Sequence, residues 1–355
     1  MRLNNIEYLP SDFLPTGDAG QLVRLAETDM TADIGQVHIA KALTNMSVGY
    51  RNGKFLAELI APTIPAEFLL DYYYKFGLEA FRPVDDTYLS GATPGEISWS
   101  WIKDSYQCNP HAVRSWYPTM TPTAADVVIQ FDMTSTRNCS QAIMLRQELN
   151  LKATLIAALS PTSMVAAGVN FDNPGFDPVP WFRQQKRIIA RQTGEMPNSL
   201  ALGRPAWDAL ASNPNFLKHI ATGTLSLDIL PGSQISPAQA AQKLELDEIL
   251  VGDGLYDISA TPADTANLQW IWGDYVLLQY KTPAPGLQVV TLVNTFLFTG
   301  GVNGQLIRKW YDQDKYRQVI DAMKFYAQKL IVPTAGLMWS NAVATADIPS
   351  GEATT

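Results

Sequence analysis

The alternation of apolar and polar positions changes its period several times along this chain of 355 residues. Aromatic residues are frequent from Phe68 to Tyr106, and Trp99 and Trp101 alternate with serine, which is the period of two expected of a strand. The residues between the two aromatic stretches, Pro83 to Gly95, are rich in Gly, Pro, Asp and Ser. The pattern predicts a long two-stranded hairpin with a loose tip.

A helical period follows the hairpin. The apolar run Asp126–Asp132 predicts a short strand, and Thr134 or Ser135 is suited to cap a helix that spans Met133–Leu159. Apolar residues recur in that helix at intervals of three and four, and at 1.5 Å per residue it is about 40 Å long. A broad apolar face of this kind is typical of a helix that covers a sheet.

Helices and short strands alternate in the next part of the chain, and strands dominate the last part. The predicted elements are a helix from Pro180 to Gln192, a strand Leu200–Leu202, a helix from Pro205, a helix from Pro237 to Leu244, and a strand Ile249–Gly252. The later predicted strands are Leu268–Tyr280, Val289–Phe298, Leu306–Tyr311, Lys324–Val332 and Leu337–Val343. The first set is typical of a compact α/β unit.

The residues before the hairpin carry a weaker pattern. A helix is predicted from Thr31 to Met46, where it would lie on a neighbouring surface, and a tail without fixed structure is the alternative. Pro62 and Pro65 favour extended backbone, which predicts a linker of set direction in front of the hairpin.

Exposed aromatic rings on an isolated hairpin would favour aggregation. We therefore expect the outer part of the hairpin to be covered. A neighbouring subunit is one candidate for the cover, and the domain to which the hairpin belongs is the other.

Composition limits the partners. The chain has 26 basic and 34 acidic residues and a net charge of −8. Proteins that bind the nucleic-acid backbone need clustered cations to displace its counterions. Sequence-specific binding of DNA is therefore not expected. The chain contains no apolar run long enough to span a bilayer and no signal sequence at its start, so we expect a soluble protein made in a cytoplasm, with no membrane partner.

Motifs for catalysis or metal binding are lacking in the sequence. The cysteines are Cys108 and Cys139, and the histidines are His38, His111 and His219, none at a metal-ligand spacing. There is no phosphate-binding glycine loop and no G-x-S-x-G elbow, and the acidic pairs Asp85/Asp86 and Asp312/Asp314 are interpreted as solvated. We predict no catalytic, cofactor-binding or metal-binding residues.

A basic cluster stands out in the predicted helix from Pro180 to Gln192. It consists of Arg183, Lys186, Arg187 and Arg191. A solvated helix face is the first interpretation of this cluster. Contact with acidic groups of a neighbouring subunit is the second, and nucleic acid is the third.

The order of these parts, together with Arg204-Pro205-Ala206-Trp207, resembles the major capsid proteins of tailed bacteriophages, which have the HK97 fold. The resemblance implies an α+β chain with named parts. They are an N-terminal arm at 1–60, a hairpin called the E-loop at 61–122, a peripheral (P) domain with a long spine helix at 123–177, an axial (A) domain at 178–300, and returning P-domain strands with a tail at 301–355.

The same resemblance implies a structural protein without enzymatic activity. It would assemble as pentamers and hexamers into an icosahedral or prolate shell around double-stranded DNA, in the virion, after assembly in the host cytoplasm. Its implied partners are further copies of itself, a separate scaffolding protein and a portal. The residues expected at subunit contacts are Arg82, Tyr88, Trp99, Trp101, Arg183 and Arg187.

Three alternatives stay open on the sequence alone. The first shares the fold and is an encapsulin-like compartment that encloses an enzyme in place of DNA. The second is a soluble hydrolase that uses carboxylates. The third is a tail or sheath component of a phage.

Overall fold

The computed structural model describes residues 38–39, 55–76, 81–84, 86–87, 90, 96, 100–118, 125–221, 235–258, 267–284, 286, 289–299 and 304–344. The helices in these residues are α1 Ala57–Ile60, α2 Ala125–Leu159, α3 Pro178–Thr193, α4 Arg204–Ser212, α5 Pro214–Ala221 and α6 Pro237–Leu244, with a 3₁₀ turn at Pro333–Ala335. The first strands are β1 His38–Ile39, β2 Thr63–Ala66, β3 Leu70–Phe76, β4 Trp101–Gln107, β5 Asn109–Pro118, β6 Thr162–Ser163, β7 Ser199–Gly203 and β8 Glu248–Gly252. The remaining strands are β9 Leu255–Asp257, β10 Leu268–Trp270, β11 Val276–Gln279, β12 Val293–Phe298, β13 Gln305–Asp312, β14 Arg317–Leu330 and β15 Gly336–Ser340.

Two larger sheets organise the chain. The six-stranded sheet has the order β1-β13-β14-β12-β2, and β5 also pairs with β14. The five-stranded sheet has the order β6-β15-β11-β7-β8. Each sheet contains strands from before and after residue 300, which is one of the predicted domain bounds. The predicted domain bounds stay a prediction.

The long helix α2 joins the two sheets. Near its middle, Cys139 and Ile143 pack with Ile307 and Ile320 of the six-stranded sheet. Towards its end, Leu151 and Leu155 are fully buried. There they pack with residues of the five-stranded sheet, namely Ala201, Leu277 and Met338. One helix therefore fixes the position of one sheet relative to the other. No helix in the ranges given above is both long and apolar enough to cross a membrane.

The predicted strand Asp126–Asp132 is wrong, because these residues form the first turns of α2. The apolar run suggested a strand, but propensity is a weak preference that tertiary contacts override. Here the hydroxyl of Tyr117 donates to the carboxylate of Asp132 at 2.6 Å, and the ring of Phe131 stacks on Tyr117. Adding turns to an existing helix costs little once such contacts hold them.

The expected cap residues also lie inside this helix. Thr134 and Ser135 lie in the third turn of α2, and the hydroxyl of Ser140, one turn further on, donates to the carbonyl of Thr136. A hydroxyl bonded back to the preceding turn satisfies its own polar group without ending the helix. The helix is thus 35 residues long, which corresponds to about 50 Å.

The helix predicted from Thr31 to Met46 is wrong at the two residues that the structure describes within it. His38 and Ile39 form β1 and pair antiparallel with Lys309 and Arg308 at the edge of the six-stranded sheet. A free sheet edge presents unpaired backbone groups that an extended segment can satisfy. The rest of the predicted helix, and the predicted tail beyond Ala344, lie outside the described residues.

Most of the later predictions are confirmed. The predicted helices from Pro180, Pro205 and Pro237 correspond to α3, α4 and α6, each with proline in its first turn. The strands predicted at Leu200–Leu202 and Ile249–Gly252 correspond to β7 and β8. The predicted strand Leu268–Tyr280 is two strands, β10 and β11, separated by a tight turn at Gly273, whose φ of 49° suits glycine. Helix α5 was not predicted.

A buried carboxylate holds the chain where it enters the hairpin. Glu148 of α2 is fully buried. Its Oε2 accepts hydrogen bonds from the backbone N–H groups of Leu56 at 2.7 Å and Ala57 at 3.2 Å, and its Oε1 accepts one from the indole N–H of Trp272 at 2.5 Å. The carboxylate therefore satisfies N–H groups at the start of α1, which has no side-chain cap of its own.

Neighbouring polar groups complete this attachment. Lys324 of β14 donates to Gln147 at 2.9 Å and to Glu58 at 3.1 Å. Gln279 donates its amide to the carbonyl of Ile60 at 3.1 Å. Residues 56–60 are thus tied to α2 and to the five-stranded sheet by buried hydrogen bonds, and to the six-stranded sheet by a partly buried one. Loss of the buried bonds would leave polar groups unsatisfied.

Burial raises the pKa of Glu148 from 4.5 to about 7, although its three donors act in the opposite direction. Between these two values the folded chain holds a proton that the unfolded chain has released, so this group adds most to the free energy of unfolding below pH 4.5. That contribution is lost as the pH rises through about 7.

We expect the change Glu148→Gln to remove this pH dependence, because glutamine does not titrate. Each pKa unit corresponds to about 1.4 kcal/mol, so the wild-type chain should lose at most about 3 kcal/mol more than the variant between pH 5 and pH 8. Urea unfolding of the unassembled chain at the two pH values measures the difference. The lowered pKa of His111 acts equally in both chains, and Glu195→Gln, at an exposed carboxylate, is the matched control. Equal losses in the wild-type chain and the Glu148→Gln variant would contradict the assignment.

Candidate subunit interface

Strands β3 and β4 form the predicted hairpin. Their antiparallel register places Tyr72 opposite Ser105, Tyr73 opposite Asp104, and Tyr74 opposite Lys103. Side chains of paired residues lie on the same face, and successive residues lie on opposite faces. The hairpin thus has an inner face, with Tyr73 and Asp104, and an outer face, with Tyr72 and Tyr74.

The inner face is anchored on the six-stranded sheet of the same chain. Tyr73 and Tyr106 are 2% and 4% exposed, and both pack against Phe296 of β12. The rings of Tyr106 and Phe296 are stacked, with centroids 4.2 Å apart, and the centroid of Tyr73 lies 5.6 Å from that of Phe296. These rings pack the base of the hairpin against its own domain. For the base, the structure thus shows one of the two covers that the sequence left open.

Asp104 fixes the ring of Tyr73 from the opposite strand. Its Oδ2 accepts hydrogen bonds from the hydroxyl of Tyr73 and the ammonium of Lys75, each at 2.8 Å. The hydrogen bond from Lys75 is the main reason that the pKa of Asp104 is lowered to about 2. Burial, followed by the bond to Asp104, raises the pKa of Tyr73. Both shifts favour the pair in which the Tyr73 hydroxyl donates to an ionised Asp104.

The outer face is aromatic and open. Leu70, Tyr72, Tyr74 and Trp101 are between 43% and 68% exposed. The ring centroids of Tyr74 and Trp101 lie 6.3 Å apart, and the ammonium of Lys103 lies 3.6 Å from the ring centroid of Tyr72. Single exposed apolar residues are common, but a row of them on one face marks an interaction surface.

On the inner face, the six-stranded sheet covers only the base of the hairpin and not its outer part. Ile102 lies on that face, beyond Tyr73 towards the tip, and it is 68% exposed. The outer part of the hairpin is therefore open on both faces within the residues that the structure describes. We call this part, with the outer face, the exposed ribbon: Leu70, Tyr72, Tyr74, Trp101, Ile102 and Lys103.

The hairpin has a firm base. Strand β4 continues into β5, and the backbone N–H of Cys108 between them donates to the carbonyl of Leu69. All ten residues of β5 pair with β14. The returning strand of the hairpin is thus one extension of a strand in the six-stranded sheet, whereas the entering strand follows the residues tied to Glu148.

The residues predicted at subunit contacts lie in two places. Trp101 and Arg82 are exposed and belong to the hairpin and its loop, and Arg183 and Arg187 are exposed on α3. Tyr88 and Trp99 lie outside the described residues. The structure holds a single chain, so the assignment of these six residues to subunit contacts stays a prediction.

The predicted basic cluster needs one correction. Lys186 is 4% exposed and points into the chain, where its ammonium donates to the carbonyls of Leu244 at 3.0 Å and Glu245 at 2.7 Å. These carbonyls end helix α6, where a cation is favourable. The exposed cations of α3 are therefore Arg183, Arg187 and Arg191.

Two residues that hold the hairpin and its entry segment in place were not identified from the sequence. Phe296 lies in a predicted strand, and nothing in that strand marks it as the partner of the hairpin. The carboxylate of Glu148 lies in a helix with many polar residues, and its partner Leu56 is 92 positions away. Within the described part of the chain, no group of three or more His, Cys, Asp or Glu side chains is placed to hold a metal ion.

Two curated relatives are similar in sequence. The major capsid protein of Burkholderia phage BcepMu is 23% identical over 249 residues, which cover 67% of this chain and 75% of that protein. The major capsid protein of Pseudomonas phage JBD67 is 23% identical over 248 residues, which cover 67% of this chain and 76% of that protein. No protein-family model matches the chain. These relatives support a capsid role.

Solved structures with the same fold come from several sources. A phage-related protein from Bordetella bronchiseptica RB50 superimposes with a TM-score of 0.64 at 21% identity, covering 86% of this chain and 98% of that one. A virus-like particle from Pyrococcus furiosus gives 0.50 at 8% identity, covering 84% and 97%. The capsid of cyanophage P-SCSP1u gives 0.50 at 9% identity, covering 88% and 93%. The resemblance to tailed-phage major capsid proteins and the predicted HK97-like fold are confirmed.

We expect the hairpin to be anchored by its buried rings and not by its exposed ones. The change Phe296→Ala should lower the free energy of unfolding by about 3–5 kcal/mol, because it removes a buried ring that two tyrosines contact. The change Trp101→Ala should alter it by less than about 0.5 kcal/mol, because the ring is mostly exposed. Urea unfolding of the unassembled chains measures both values, and losses of equal size would contradict the two-faced description of the hairpin.

Proposed function

We propose that this chain, which has the fold of the HK97-like phage capsid proteins, is the subunit of a phage shell. In this proposal, copies assemble as pentamers and hexamers into an icosahedral or prolate shell that encloses double-stranded DNA. The hairpin acts as the E-loop and lies over a neighbouring copy. Arg82, Tyr88, Trp99, Trp101, Arg183 and Arg187 are the proposed contact residues.

The exposed ribbon is the observation that carries this proposal. Its base is buried on its own chain by Tyr73 and Tyr106, whereas Trp101 and Ile102 are each 68% exposed. Apolar surface exposed in this way favours association, since each square ångström removed from water contributes about 25 cal/mol. In the proposed shell, a second copy covers the ribbon, which its own chain leaves exposed.

The base of the hairpin holds the exposed ribbon in a fixed position before any contact forms. The returning strand continues into β5, which pairs with β14 along its whole length, and the entering strand follows the segment fixed by Glu148. A ribbon held in place before it binds loses less conformational entropy on binding than a free loop. Each contact between copies can be modest, because every subunit of a closed shell makes several at once.

The charge of the chain suits a wall around DNA. With a net charge of −8, the chain is not expected to hold phosphates tightly, so DNA is enclosed without sequence-specific binding. A scaffolding protein and a portal are proposed as further partners, and the virion as the final location, after assembly in the host cytoplasm.

An encapsulin-like compartment would share the fold, and the contents of purified particles separate the two functions. Nuclease-protected DNA in particles from infected cells supports the phage shell, whereas a protein cargo without DNA would overturn it. For a carboxylate-dependent hydrolase, Asp312 is a weak candidate because it forms an ion pair with Arg317 at 2.9 Å, and that hydrogen bond lowers the pKa of Asp312.

We expect the double change Tyr74→Ser and Trp101→Ser to prevent shell formation while leaving the fold intact, because it removes two rings of the exposed ribbon. Size-exclusion chromatography and electron microscopy, with and without scaffolding protein, measure the particle fraction. The change Leu268→Ser is the control, since Leu268 of β10 is 58% exposed outside the hairpin. Normal particles from the double variant would contradict the proposed role of the ribbon.

The loop at the end of the hairpin allows a second test. Deleting residues Pro83 to Gly95 should spare folding but stop shell formation, because the anchoring rings stay in place while the reach of the hairpin is shortened. Circular dichroism and urea unfolding report the fold, and electron microscopy reports the particles. Unfolding of the deletion variant would argue against an arm-like role for the hairpin.

A further inference from the structure

The arginines of α3 form one exposed stripe, which we call the arginine stripe: Arg183, Arg187 and Arg191. They recur at intervals of four residues, which places them along one side of a helix. All three are exposed, while Phe182, Lys186 and Ile189 on the other side are buried. The stripe is therefore a solvent-facing surface of positive charge about 12 Å long.

The stripe is poorly neutralised by its own chain. Arg183 lies 3.6 Å from the carboxylate of Glu245, an ion pair in which both side chains are more than half exposed. An exposed pair of this kind adds little to stability. Among the residues that the structure describes, neither Arg187 nor Arg191 forms an ion pair.

The loop at the end of the hairpin has the complementary charge. Residues 77–100 contain four carboxylates and one arginine, a net charge of −3. Asp86 and Glu96 of this loop are exposed. An acidic loop of one copy and a basic stripe of another attract each other and set the orientation in which the copies meet.

A contact within the chain places the start of the loop beside the end of α3. Gly194 ends α3 with a φ of 80°, and the ring of Phe81 lies so close that a Cβ added at Gly194 would be 2.2 Å from the Cζ of Phe81. Phe81 is nevertheless 67% exposed. The start of the loop thus reaches the end of α3 in the same chain, and the stripe remains exposed beside it.

We propose that the arginine stripe is the docking surface for the acidic hairpin loop of a second copy of this chain. The inference rests on the proposed shell, and it adds the surface that receives the hairpin. The exposed ribbon contributes apolar area to the contact between copies, and Asp86 and Glu96 meet Arg187 and Arg191 of the neighbour. A contact within one chain is the alternative, and it is an outcome of the test.

Charge reversal separates these possibilities. One variant carries Arg187→Glu with Arg191→Glu, and the other carries Asp86→Lys with Glu96→Lys. Each variant alone opposes like charges, and we expect the particle fraction to fall about tenfold in each case, since like-charge contacts strongly disfavour association. Lys218→Glu with Lys315→Glu is the control, because it makes the same change of charge at exposed lysines outside the stripe.

Mixing the two variants is the decisive step. If the contact joins two copies, the reversed loop of one variant meets the reversed stripe of the other. Six-membered rings can alternate the two variants, whereas a five-membered ring keeps one like-charge contact, so the particle fraction recovers in part, at least about twofold. A single chain with all four changes should recover in either case. Recovery in the single chain without recovery in the mixture would assign the contact to one chain and overturn the proposal.

The remaining outcomes are also informative. Particles at wild-type levels from both charge-reversed variants would overturn the docking surface and leave the proposed shell intact. Failure of the wild-type chain to form particles with or without scaffolding protein would overturn the shell and the docking surface together. Circular dichroism of each unassembled variant excludes misfolding as the cause of a loss.

Discussion

The buried carboxylate of Glu148 is the interaction that fixes where the chain enters the hairpin. It lies where the chain passes from residues 56–57 towards the hairpin, and it accepts hydrogen bonds from that segment and from Trp272. None of the ion pairs in the described residues includes Glu148, so when the group is ionised above its raised pKa its charge is offset by N–H donors alone. A buried carboxylate is costly unless such donors surround it, so the cluster tolerates few other arrangements of the segment.

Beyond this fixed entry point, the two faces of the hairpin have different surroundings. The period of two places Tyr73 against Phe296 and, one residue later, Tyr74 in the open. The buried rings set the direction of the hairpin, and the exposed rings then occupy a defined position in space. Tyrosine thus serves both as the buried anchor and on the exposed face, and packing against the neighbouring sheet determines which ring is buried.

The sequence predicted the elements whose signals are local. The aromatic alternation around Trp101 indicates a strand, and proline in the first turn correctly marks three helices. Prediction from the sequence failed where a contact distant in the chain determines the local structure. The turns at 126–132 are helical because Tyr117 and Lys309 hold Asp132, and Lys186 is buried because the end of α6 lies beside it. The anchoring ring of Phe296 lies in a strand far along the chain, so periodicity around the hairpin cannot identify it.

Charge adds a constraint on how copies can meet. An acidic loop repels the same loop of another copy, and an arginine stripe repels the same stripe. A contact in which a surface meets itself across a two-fold axis is therefore disfavoured for both. Loop on stripe joins two different surfaces, and contacts of that kind close into rings when the rotation between copies divides a full turn. If the stripe receives the loop as proposed, the same charge pattern favours a cyclic arrangement, which is the symmetry of the proposed pentamers and hexamers.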